Sequence, residues 1–185
     1  MGAIVIQLLP LAGVILGAAA TFSGTALHER AKWRRGLTAR WDEKRLAAYS
    51  EYANALRTYA TLAVRIAAAR GYPTAAQPID IDEGLRALAE ADTAKTTKWE
   101  QVLLLGSPEA VAAARNWTEA AWQLSLVARG LHADHDAYVR LFEETGRRRD
   151  RFYLCARADL AVTSGALPPG DQAWLAPPGI GGSPV

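Results

Sequence analysis

Leu104-Leu105-Gly106-Ser107-Pro108-Glu109-Ala110-Val111 places a helix end and a helix start within four residues. Glycine suits the position just past a helix C-terminus, and serine at an N-cap accepts a hydrogen bond from the first turn. Proline fits the first helical position because its missing N–H is not needed there, and a glutamate beside it meets the positive end of the helix dipole. So short a connection sets its two helices side by side and antiparallel.

Working outward, the helix ahead of this turn starts near Glu83 and runs to Leu105, with Leu85, Leu88, Ala89, Trp99, Val102 and Leu103 predicted to be buried. The helix behind it runs from Pro108 to about Leu131, burying Val111, Ala114, Trp117, Ala121, Leu124, Ala128 and Leu131. Farther upstream, Gly71-Tyr72-Pro73-Thr74-Ala75-Ala76-Gln77-Pro78-Ile79-Asp80-Ile81 is a loop by composition, and its Asp80/Asp82 pair can cap the helix that follows. Between Ala31 and Arg70 there is no proline, and after Gly36 no glycine, which predicts a long first helix. Trp41, Ala48, Tyr49, Tyr52, Leu56, Tyr59, Ala63 and Ile66 recur at three and four along it, one buried stripe with Arg57, Arg65 and Arg70 off it. A fourth helix starts near Asp134 and runs to about Thr163, with Tyr138, Leu141, Phe142, Thr145, Phe152, Cys155 and Ala156 inward.

Strand signals are almost absent, so the fold class is all-α: an antiparallel up-down-up-down four-helix bundle. Three segments follow: an N-terminal anchor over 1–27, the bundle over 28–164 and a Pro/Gly-rich tail over 165–185. The tail's composition cannot support regular structure and reads as disordered.

The anchor is Ala3 to Phe22, about twenty residues without a charge, which is what a helix needs to cross a bilayer. The basic collar Arg30, Lys32, Trp33, Arg34 and Arg35 follows, a cationic and aromatic membrane interface. Residues 28 to 45 carry seven cations against three anions, so the positive-inside rule puts the N-terminus outside and the remainder in the cytoplasm of a bacterial inner membrane. A cleaved secretory signal is the rival reading; Ala18-Ala19-Ala20 would suit a cleavage site, but no positive region precedes the apolar stretch. No strong breaker lies between Phe22 and Leu37, so span and first bundle helix read as one rod of roughly 100 Å at about 1.5 Å per residue. Gly13 and Gly17 form a GxxxG within the span, a close-approach patch that suits a homo-oligomer.

Charge and cysteine usage narrow the function classes. A formal net charge of +2 gives no basis for nucleic-acid binding, and the single Cys155 excludes an internal disulfide. Residues 80 to 119 hold eight acids against four bases, so the collar is positive and the middle of the chain negative.

Catalytic patterns are thin. His132-Ala133-Asp134-His135-Asp136 gathers the side-chain types that bind transition metals, but Gly130 and Asp134 mark a helix boundary where an N-cap Asp and a first-turn acid explain the same letters. Phosphate-binding glycine loops and a nucleophile elbow are missing, and Cys155 sits mid-helix without a histidine nearby in sequence. Arg147-Arg148-Arg149 with Arg151 reads as a solvated face balanced by Glu143, Glu144 and Asp150, with anionic lipid as the alternative partner. In the tail, Ala173-Trp174-Leu175 is an isolated apolar cluster between two Pro-Pro pairs, the form of a docking motif.

The N-terminal arrangement, with Trp41-Asp42-Glu43-Lys44-Arg45-Leu46-Ala47-Ala48-Tyr49 giving W-x-x-K-R-x-x-x-Y, resembles small membrane-anchored helical proteins of high-GC actinobacteria. The resemblance covers about the first 70 residues; it implies a fold type and an inner-membrane setting, and no reaction. Together these features lead to the expectation of a membrane-tethered interaction or scaffold module without enzymatic activity or cofactor. Its partners are membrane lipid and a protein. Two alternatives remain: a sensor of a small molecule or lipid using Trp99, Trp117, Trp122 and Tyr52, and a metal-dependent enzyme at His132 and His135.

Overall fold

The computed structural model describes residues 40–131 and 134–165, and all of its regular structure is helical. Helix α1 is described over 40–69, α2 spans Ile81–Leu105, α3 Pro108–Ala128 and α4 His135–Asp159. A compact unit begins at Lys44.

The starts of α2, α3 and α4 carry the caps their sequence promised. Asp80 accepts from the Glu83 N–H at 2.9 Å, Ser107 from the Ala110 N–H at 3.2 Å with Pro108 in the first turn, and Asp134 from the Ala137 N–H at 2.6 Å. The end of α2 at Leu105 is as expected, while the ends of α3 and α4 fall short of the sequence reading for a backbone reason. Helix α3 stops at Ala128 because Gly130 takes φ +94° and lets the Leu131 N–H reach back to the Leu126 carbonyl, closing a Schellman turn. Leu131 therefore lies outside the helix and is exposed, not buried. Helix α4 ends the same way at Asp159, with Ala161 at φ +53° and the Val162 N–H bonded to the Arg157 carbonyl at 2.9 Å.

Side-chain pairings fix the topology. Arg45 donates to the Leu105 carbonyl at 2.9 Å and Lys98 pairs with Glu51 at 2.7 Å, so α1 and α2 run antiparallel. Tyr49 donates to Asp159 and stacks edge-on against Phe152, which sets α4 antiparallel to α1. Tyr52 donates to the Ala114 carbonyl at 3.0 Å and Tyr59 to Ser125 Oγ at 2.7 Å, so α3 runs parallel to α1 across the bundle. Small residues line the interior around these pairs: Ala53, Ala63 and Ala67 on α1 and Ala110, Ala114, Ala121 and Ala128 on α3 are all buried.

The aromatic core sits among α1, α3 and α4. Trp117 meets Tyr52, Phe152 and Tyr153 with ring centroids 5.6 to 6.3 Å apart, and Tyr52 meets Phe152 at 5.6 Å. Helix α2 is attached differently. It buries only Gly84, Leu88, Ala91, Lys95 and Val102, a narrow seam at spacings of four, three, four and seven. Of the positions expected inward on α2, Ala89 and Leu103 are exposed, because the seam is narrower than the wide apolar stripe of a bundle helix. Trp41 on α1 is likewise half exposed. On α4, Leu141 and Phe142 are only half-buried.

Gly84 shows how tight that seam is. A β-carbon there would stand 2.6 Å from Ile66 Cγ1 and 3.0 Å from Ile79 Cγ2, and Ile66 is fully buried. Gly84→Ala gains about 1 kcal/mol of helix propensity but overpacks a site that cannot give, at a cost of about 1–3 kcal/mol. The urea midpoint should fall, by a net loss of about 1 kcal/mol; a rise in midpoint would show that the α1–α2 seam is looser than this spacing.

Candidate functional site

Several sequence candidates lie outside the described residues: the anchor with Gly13 and Gly17, the collar Arg30, Lys32, Trp33, Arg34 and Arg35, His132, and Trp174 with Leu175. Among the described residues no helix is long and apolar enough to cross a membrane. Those residues also hold no group of three His, Cys, Asp or Glu side chains placed to share a metal. Asp134 is the N-cap of α4, Asp136 is an exposed first-turn acid, and the His135 ring packs edge-on against Tyr72 at 5.7 Å.

Three of the block's four arginines are neutralised locally, Arg151 being exposed without an ion pair among the described residues. Arg147 pairs with Glu143 and Glu144, Arg148 with Glu144 and Glu119, and Arg149 with Asp150. Hydrogen bonds from Arg148 and then Arg147 hold the Glu144 carboxyl below its ordinary range. This is the solvated, self-balanced face that the i,i+3 and i,i+4 spacing implied. Cys155 is buried in the core.

Of the four aromatic residues proposed to line one ligand space, Tyr52 meets both Trp99 and Trp117, while Trp122 stands apart from them. Tyr52 and Trp117 are fully buried against each other, Trp99 is half-buried on the far side of Tyr52, and Trp122 is 47% exposed. Trp122 belongs to another surface, the groove between α2 and α3.

That groove exists because α2 and α3, joined by a tight turn, touch at few points, whereas α3 and α4 pack closely. Its floor is α1: Tyr52 reaches Trp99 on one wall and the Ala114 carbonyl on the other, and one turn-pair farther along Tyr59 lies under the Lys95 ammonium at 4.6 Å while bonding Ser125. Ser125 passes the chain on to the Trp122 carbonyl at 2.7 Å. On the α2 wall, Trp99 and Leu103 stand one turn apart. On the α3 wall, Arg115 and Trp122 are seven residues apart, hence on one face. The Arg115 guanidinium lies over the Trp99 ring at 5.7 Å and, among the described residues, pairs with no carboxylate. Lys95, by contrast, is buried and paired with Asp92.

The groove therefore offers two accessible indoles, a leucine and a cation without an anionic partner. Such a surface holds a peptide with an aromatic anchor and an acid better than it holds a reaction intermediate. Sequence reading missed it because Trp99 and Trp122 look like core residues by periodicity; the available signal was the seven-residue repeat of Arg115 and Trp122 outside the Ala114, Trp117, Ala121 and Leu124 stripe.

At the opposite end of the bundle, Tyr138 is fully buried against Tyr72, with centroids 5.0 Å apart, and its hydroxyl has no hydrogen-bond partner among the described residues. Burial pushes this phenol up to about 12, which the Thr74 side chain eases without closing a hydrogen bond. An orphaned buried hydroxyl costs about 1–3 kcal/mol. Tyr138→Phe should therefore stabilise the bundle by about 1 kcal/mol, read as a raised Tm; a drop in Tm would mean that the hydroxyl is bonded in solution.

Comparison with protein-family models, curated proteins and solved structures gives no match for this chain.

Proposed function

We propose that the protein is a membrane-tethered interaction module whose partner-binding face is the α2–α3 groove. The observation that carries this reading is the splay of α2 from α3, which leaves Trp122 and Leu103 exposed and Arg115 without an anion among the described residues. Isolated exposed apolar residues are ordinary on a protein surface, but two indoles, a leucine and a cation lining one helix-bounded groove form a recognition surface. The tether rests on Ala3–Phe22 and the basic collar, with the bundle on the cytoplasmic side.

The test uses the full chain with a labelling enzyme at its C-terminus, expressed in bacterial cells. Carbonate-washed membranes should retain the protein, and the tag should resist protease in intact spheroplasts. Trp122→Ala and Arg115→Glu should each remove the same recurrent set of labelled neighbours. Release by carbonate would end the tether; a neighbour set unchanged by both substitutions would end the groove.

A further inference from the structure

The groove needs an occupant, and the chain carries a segment with matching chemistry. We propose that Asp171-Gln172-Ala173-Trp174-Leu175 docks into the α2–α3 groove of its own chain, as a built-in competitor of the partner; this rests on the interaction-module reading above.

Three observations converge on that segment. The first is where the chain leaves the bundle. Asp159 at the end of α4 accepts from the Ser107 N–H at 3.3 Å, so α4 finishes beside the start of α3. Beyond it Arg157 holds the exit, donating to the Ser164 carbonyl at 3.2 Å, to Ser164 Oγ at 3.1 Å and to the Gly165 carbonyl at 3.3 Å.

The second is reach. From Gly165 to Trp174 is nine residues, which in an extended proline-rich chain span about 28 Å at about 3.1 Å each. Trp122, where Trp174 must arrive, lies fifteen residues along α3 from Ser107, about 22 Å, and one helix diameter across, about 10–12 Å, hence about 25 Å in a straight line. The tail is long enough, with little to spare.

The third is complementarity in register. Between 166 and 185 the one charged side chain is Asp171, and the one aromatic is Trp174, three residues on. Three extended residues cover about 9 Å, and the seven helical residues from Arg115 to Trp122 rise about 10 Å. Asp171 can thus meet the Arg115 guanidinium while the Trp174 indole lies against Trp122. The carboxylate–guanidinium contact supplies direction and the indole the buried area.

The experiment uses the full-length protein in detergent micelles, labelled with 5-fluorotryptophan, with the Trp122 and Trp174 fluorine lines assigned by Trp122→Phe and Trp174→Phe. Docking predicts that Trp174→Phe shifts the Trp122 line and leaves Trp117 in place. It also predicts that Arg115→Glu and Asp171→Lys each return the Trp174 line to the position of a free indole, and that the double charge exchange restores it. All of this should be independent of protein concentration. A Trp174 line at the free-indole position in the unmodified chain overturns the proposal, and so does a Trp122 shift that appears only on concentration, which would make the occupant a second copy. These outcomes leave the neighbour-labelling result untouched, so cis docking can fail while the groove still serves a partner.

Discussion

Raising the pH from 10 to 12 should destabilise the bundle steeply. Burial pushes Tyr52 up to about 12, opposed by its hydrogen bond with Thr118, and pushes Tyr138 to about the same value. Tyr49 is raised further, by burial first and then by donating to the Asp159 carboxylate, whose charge would repel a phenolate. The sign follows from linkage: a phenol with a raised folded pKa holds its proton more tightly in the native state. Its contribution is complete below the unfolded value of about 10 and is lost as pH climbs through the folded one. At pH 12 the loss is about 2 kcal/mol for Tyr52 and about the same for Tyr138, large against the 5–15 kcal/mol that hold a typical domain. Helical circular dichroism with urea titrations at stepped pH reads this directly. Tyr138→Phe should remove its own share of the pH dependence while raising stability at neutral pH. A stability flat to pH 12 would mean that these phenols are solvated in the folded state.

Much of this fold was legible in the sequence because helix ends are local chemistry. Asp80, Ser107 and Asp134 cap where their letters say, and the Tyr49, Tyr52, Leu56, Tyr59 and Ile66 stripe is buried as its spacing requires. What stayed hidden depends on distances between helices. Periodicity places Leu103 and Leu131 inward, but whether a stripe is covered is decided by how close the neighbouring helix comes and where the backbone turns left-handed, at Gly130 in the latter case. The groove belongs to this second kind of information. Tyr52 and Tyr59 tie α1 to α3, and α2, joined through Gly84, Ala91 and a buried lysine, touches α3 at few points. Nothing in a single helix's pattern states that separation. The proposed membrane span is the reverse case, an expectation from the sequence alone at residues outside those described.

Two tryptophans five residues apart on α3 should therefore behave in opposite ways when truncated. Trp117 is 1% exposed and stands where α1, α3 and α4 converge, in ring contact with Tyr52, Phe152 and Tyr153. Trp117→Ala removes that shared partner and leaves a cavity its neighbours cannot fill, because Tyr52 is anchored to the Ala114 carbonyl. The cost is about 3–5 kcal/mol, enough to bring the bundle near its threshold and to shift the urea midpoint far down. Trp122→Ala, at a residue 47% exposed whose structural bond is made by its backbone carbonyl, should change stability by about 0.5 kcal/mol or less. The same substitution should erase the neighbours labelled through the groove. Side chains kept for folding are costly to remove and silent in binding, and groove residues show the reverse, so this pair separates a binding face from an incidental exposed indole. A Trp122→Ala chain as unstable as Trp117→Ala would place Trp122 in the core after all and take the groove away.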